Sequence, residues 1–164
     1  MTISMYQASV PVFKQLLTAL QGILEKAQAH SESESLLQAS LFPDMFNFTR
    51  QVQIATDFAK GVSARLAGLD VPAFEDNESS FKELGARIEK TLQFIATIKP
   101  EQIDGSENNE IVTRPGTPKE KKFSGQSYLL SYGLPQFFFH VTTAYDILRS
   151  KGVEIGKRDY MGVF

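Results

Sequence analysis

Apolar residues return every three or four positions through four long stretches of this chain, with polar residues between them. From residue 4 to residue 30, Tyr6, Val10, Phe13, Leu17, Leu20, Ile23 or Leu24, and Ala27 keep that step, which predicts an amphipathic helix. Pro11 lies inside the pattern and lacks a backbone donor, so a kink or a helix start is expected beside it. His30 falls at the C-terminal end, where an imidazolium favours the negative end of the helix dipole. A polar connector, Ser31 to Ser35, leads to a short turn or half-helix, Leu36 to Phe42, that covers one end of the helices. Pro43-Asp44 is expected to open a second helix reaching about Ala67, with a stripe of Met45, Phe48, Val52, Ala55, Ala59, Val62 and Leu66. Gly68 fits its C-cap.

The third helix should begin at a capping box, Ser80-Phe-Lys-Glu83, and run through Phe81, Leu84, Ile88, Leu92 and Ile95 to about Ile98, where Pro100 stops it. The period then breaks. Glu110 to Arg114 and Lys119 to Phe123 flank Pro115-Gly-Thr-Pro118, which suggests a small β-hairpin supported by the end of the helices. Ser124 can cap a fourth helix that continues to about Lys151, with Pro135 kinking it and Gly152 closing it. Leu134, Phe137, Val141, Ala144 and Leu148 form its stripe. Four long helices over roughly 60% of a chain exceed the ordinary helical share of about a third. The expected fold is all-α, an up-and-down four-helix bundle with a small hairpin between helices three and four.

Composition narrows the function without naming it. A chain of 164 residues suits one domain, residues 1–164, with a real core. Its net charge of −2, with both signs interspersed, gives no footprint for nucleic acid. With no cysteine, disulfides and thiolate metal sites are excluded. Met1-Thr-Ile-Ser-Met-Tyr6 lacks the basic start and apolar run of a signal peptide, and no window is apolar enough to span a membrane. A cytoplasmic protein is expected.

The candidate chemistry sits on the second and fourth helices. Gln136 and His140 are four residues apart and share a helix face, as do Gln53 and Asp57. These four are the pocket candidates. A catalytic zinc needs three N, O or S ligands and an open position. His140, Asp57 and Gln136 are the residues that could approach such a set, although a neutral amide is a weak ligand. The structural alternative makes His140 a hydrogen-bonded core histidine paired with Gln136, Gln53 or Asp57. A metal-free pocket for a small ligand is the third reading. No serine sits in a Gly-x-Ser-x-Gly elbow, and the glycines after Gly152 lack phosphate-cradle spacing. Lys157-Arg-Asp159 could bind an anion, but internal pairing that fastens the tail across the bundle is the expectation. Phe137-Phe-Phe139 covers more than one helix face, so at least one ring leaves the main core stripe.

The run Phe139-His-Val-Thr-Thr-Ala-Tyr-Asp-Ile-Leu-Arg149, with Gly152-Val and Gly156-Lys-Arg-Asp-Tyr160, resembles the bacterial domain-of-unknown-function 1993 family of the DinB/YfiT-like metalloenzyme superfamily. Met5-Tyr6, Val10-Pro-Val-Phe13, Pro43-Asp-Met-Phe46, Arg50-Gln-Val-Gln-Ile-Ala55, Lys60-Gly61 and Val71-Pro-Ala-Phe-Glu75 match as well, so the resemblance covers nearly the whole chain. The superfamily resemblance implies an up-and-down four-helix bundle, often a homodimer. It also implies a metal on three histidines, one from the second helix and two from the fourth, with low-molecular-weight thiol transfer in some relatives. His140 stands where the last of those histidines would, Gln136 where its partner would, and Gln53 and Asp57 are the nearest candidates on the second helix. At most one of the three histidines is kept. The expectation is therefore a ligand-binding or structural module that has lost the metal triad and needs no cofactor, with a small molecule as its partner. The alternative is a transferase or hydrolase that uses a divalent metal.

Overall fold

In a computed structural model, which describes residues 3–164, the four apolar stripes become the long helices of an up-and-down bundle. They are α1 (Val10–Gln28), α3 (Phe48–Leu66), α4 (Phe81–Ala96) and α7 (Leu134–Ser150). Short helices α2 (Ser33–Leu36), α5 (Pro100–Ile103), α6 (Gly125–Ser127) and α8 (Lys157–Met161) lie in the connections. Helix α3 packs between α4 and α7, and α1 packs on α4 and on α8. Phe13, Leu17, Leu20, Phe48, Val52, Leu84, Ile88, Phe137 and Leu148 are all fully buried where these helices meet. No helix among the described residues is long and apolar enough to cross a membrane.

The helix starts depart from the expected positions for identifiable reasons. Pro11 sits in the first turn of α1, where its missing N–H costs nothing, so it starts the helix and no kink follows. Pro43-Asp44 does not open α3. That helix begins five residues later, where the Asn47 side chain accepts from the Arg50 N–H at 2.9 Å. The carbonyls of Ala39 and Leu37 accept from the N–H groups of Phe48 and Thr49, so the connector itself satisfies the start of α3. At α4 only half of the capping box forms. The Ser80 hydroxyl accepts from the Glu83 N–H, but the Glu83 carboxylate turns to the backbone and hydroxyl of Ser79. Pro100 ends nothing, since it opens α5. His30 lies just beyond α1, where its Nδ1 accepts from the Glu32 N–H at 3.3 Å.

The hairpin forms as expected from β1 (Glu110–Thr113) and β2 (Lys121–Ser124), with Ile111 opposite Phe123. Its support is aromatic: Phe123 packs against Tyr128 and Tyr132 with ring centroids 5.6 and 5.1 Å apart. A Cβ on Gly125 would lie 2.0 Å from the Ser106 carbonyl oxygen, so only glycine allows this close crossing after β2.

Between α6 and α7 the helix widens into a π turn, Tyr128–Gly133. Pro135 explains it. Its ring lacks the N–H and crowds the carbonyl four residues back, so the chain takes up the mismatch upstream as a wider turn. Pro135, expected to kink the fourth helix, stands in the first turn of α7, directly after this π turn. The tail folds back on α1: Val153 and Ile155 are buried, Lys26 pairs with Asp159 at 2.7 Å, and the Gln15 amide donates to the Met161 carbonyl. The Lys157-Arg158-Asp159 segment thus fastens the tail.

Candidate functional site

Helix α3 has a second face beside its core stripe. Arg50, Ile54, Asp57, Phe58, Gly61 and Arg65 recur along it at helical spacing and form one wall of a groove. Tyr128, Tyr132, Gln136 and His140, at steps of four along the π turn and α7, form the opposite wall. Val71, Ala73 and Phe74 of the α3–α4 connection and Thr113 and Arg114 of the hairpin also line the groove, as does Lys60 of α3. The cavity holds about 600 Å³. The π turn and Gly133 let the two walls approach, since a Cβ on Gly133 would sit 2.7 Å from a Val62 methyl.

The four expected site residues separate. Asp57, Gln136 and His140 line the groove, whereas Gln53 does not. Its amide donates to Glu78 at 2.8 Å and its carbonyl accepts from Arg50 at 3.2 Å. The hydrogen-bond partner of His140 is none of the three expected. It is Gln51, whose Oε1 lies 2.7 Å from Nδ1. Gln51 is 1% exposed, and its Nε2 donates to the Phe46 carbonyl at 3.2 Å, which can only accept. That fixes the amide with its oxygen towards the ring, so Nδ1 carries the proton and Nε2 keeps the lone pair. Phe58 stacks on the imidazole at 5.9 Å and Phe139 meets it edge-on at 5.2 Å. Burial, with a smaller push from the Arg50 charge, lowers the His140 pKa to about 4. The ring is therefore neutral near pH 7.

Asp57 belongs to a charge network instead of a ligand set. Its Oδ1 accepts from Arg87 Nη2 at 2.8 Å and from Lys60 Nζ at 3.1 Å. The Arg87 guanidinium is buried and also reaches Asp76 at 3.0 Å, Glu78 at 3.0 Å and the Thr56 hydroxyl at 2.7 Å. Lys60 is 3% exposed and lies 3.8 Å from the centre of the Phe74 ring, which pins the α3–α4 connection over the groove. Burial pulls the Lys60 pKa below its ordinary value, against the opposing attraction of Asp57.

These neighbours do not suit a metal. His140 offers one good donor at Nε2, the Asp57 oxygen facing the network is taken by two cations, and Gln136 is a neutral amide. Among the described residues no group of three or more His, Asp or Glu side chains is placed to hold an ion.

The family described as Domain of unknown function (DUF1993) matches residues 5–161. The chain belongs to the DUF1993 family. This DUF1993 chain is similar in structure to a DinB family member protein from Shewanella denitrificans, at 34% sequence identity and a TM-score of 0.90, over 97% of this chain and 92% of that one. The likeness agrees with a DinB-like superfamily and with the bundle already described. No curated protein matches it.

Several groove residues of this DUF1993 chain were not among the expected set, namely Arg50, Lys60, Arg65, Arg114, Tyr128 and Tyr132, nor was Gln51, the buried partner of His140. Gln51 carried a signal, because it lies three residues after Phe48 and four before Ala55 and so falls on the core stripe of α3. A neutral amide at such a position needs a buried partner. The arginines and tyrosines carried no comparable mark, since their meeting depends on the π turn.

Proposed function

We propose that this DUF1993 protein is a small-molecule-binding module whose ligand lies in the α3–α7 groove, with His140 as a fixed, neutral hydrogen-bond acceptor. The observation that carries this reading is the relay from Phe46 through Gln51 to His140. It makes Nδ1 the donor and leaves Nε2 available to a molecule in the groove, with no protein partner among the described residues. Ile54, Phe58 and Tyr132 supply the apolar and aromatic wall that encloses such a ligand. An acceptor of this kind selects a ligand that presents an O–H or N–H. In this reading the superfamily's three-histidine metal site has been replaced. The chain's two histidines are His30 and His140, and His30 lies beyond the end of α1, outside the groove lining.

The test is a titration of isotope-labelled, untagged protein with a library of small acids, alcohols and amines. Binding compounds should shift the amide resonances of Phe58, Tyr132, Gln136 and His140 together. Shifts confined to other surfaces, or none in the whole library, would overturn the reading. Stoichiometric zinc, nickel or iron retained by the untagged protein and lost in His140→Ala would replace it with a metal-dependent transferase or hydrolase.

A further inference from the structure

The hairpin end of the groove carries positive charge without counter-charge. Of the four cationic side chains that line the cavity, Arg50 pairs with Asp76 and Lys60 with Asp57. Arg65 and Arg114 have no carboxylate partner among the described residues. Arg65 instead donates from Nη1 to the Tyr128 hydroxyl at 3.1 Å. Tyr128 is 1% exposed, and burial holds its phenol above the ordinary value, so the hydroxyl keeps its proton. Its oxygen accepts from Arg65, which leaves the O–H free to donate elsewhere.

Two backbone features place these groups. A Cβ on Gly61 would lie 2.8 Å from Arg65 Nη1, so glycine one turn earlier lets the guanidinium lie back against α3 at the groove wall. Arg114 holds a left-handed φ of 51°, an uncommon and strained conformation for a residue with a side chain. The Thr117 N–H and hydroxyl both bond to the Arg114 carbonyl and fix that conformation. Both arginines thus line the same cavity as the Tyr128 ring.

We propose that Arg65, Arg114 and the Tyr128 hydroxyl form an oxyanion subsite for the carboxylate or phosphate group of the groove ligand. Guanidinium forks match the paired oxygens of either group. The subsite rests on the groove reading for its place and adds the ligand's chemical class. Phe58, which stacks on the His140 ring, and Gly61, against which the Arg65 guanidinium lies, are three residues apart on α3, or about 5 Å along its axis at 1.5 Å per residue. A ligand that reaches both the arginines and His140 is an acid that also presents a hydrogen-bond donor.

The experiment is calorimetric titration with inorganic phosphate and, separately, with succinate, at low ionic strength in chloride buffer. At least one should bind with one-to-one stoichiometry, and Arg65→Gln and Arg114→Gln should each weaken it tenfold or more. A control on α1, Lys14→Gln, outside the groove lining, should bind as the wild type does. Phosphate alone binding assigns a phosphate ester, and succinate alone a carboxylic acid. The subsite is overturned if neither binds or if both arginine variants keep wild-type affinity. Arg114 is exposed, so its variant tests the proposal even if Arg65→Gln loses stability. The two readings can fail separately. Library compounds that shift His140 while neither phosphate nor succinate binds through the arginines would keep the groove and remove the subsite. Oxyanion binding through the arginines, with no compound reaching His140, would do the reverse.

Discussion

Acidification should destabilise this protein through one histidine. His140 titrates near pH 4 in the folded state because burial disfavours its cation, whereas an unfolded chain returns it to 6.5. The folded pKa lies below the unfolded one, so between those two pH values the unfolded state binds a proton that the native state does not. The stability contributed by neutral His140 is complete above pH 6.5 and is lost as the pH falls towards 4. A shift of this size corresponds to about 3 kcal/mol at 1.36 kcal/mol per unit. The assay is urea unfolding of wild type and His140→Gln at intervals from pH 7 to pH 4. Contributions from every other group are common to both proteins and cancel in the difference. Wild type should lose about 3 kcal/mol more than the variant by pH 4. Parallel stability curves for the two proteins would refute the burial argument.

Three further outcomes follow from the packing. Arg87→Met removes the buried guanidinium shared by Glu78 and two half-exposed aspartates, and should cost about 3 kcal/mol, the lower end for breaking a buried ion pair. A loss below about 1 kcal/mol in urea unfolding would contradict the network's role. Gly125→Ala drives a Cβ against the Ser106 carbonyl, which is backbone and cannot swing aside, so calorimetry should show about 3 kcal/mol of lost stability or more. An unchanged unfolding temperature would show that the crossing is looser than described. Gln51→Leu leaves the His140 Nδ1–H without an acceptor and should cost about 1–3 kcal/mol in urea unfolding at pH 7, with no loss counting against the relay.

The bundle was legible because its signals are local and repeated. The α1 stripe of Phe13, Leu17, Leu20 and Leu24 has the helical period whatever surrounds it, and each of these residues is buried. Ser80, Ser124, Gly68 and Gly152 marked their helix ends through side-chain chemistry or a positive φ. The start of α3 was misplaced because Pro43-Asp44 is a valid opening in isolation. The N–H groups of Phe48 and Thr49 are instead satisfied by carbonyls of the preceding connector, a contact between segments that no local pattern records.

The site was legible by location and not by partnership. His140, Gln136 and Asp57 do line one groove, as spacing on two helices suggested. Which groups bond to which was decided by Arg87, which arrives from α4 and takes Asp57, and by Gln51, whose place on the core stripe puts it under the imidazole. The arginine end depends on a π turn and on a left-handed residue, both of which arise from how neighbouring segments meet.

The most direct test of the account is the protonation pattern of the His140 ring, read from long-range proton–nitrogen spectra at pH 7 with and without a groove-binding compound. The account predicts a neutral ring protonated at Nδ1, with an Nε2 resonance that moves when the compound binds. An imidazolium, a proton resting on Nε2, or an Nε2 resonance indifferent to every compound that binds would contradict it.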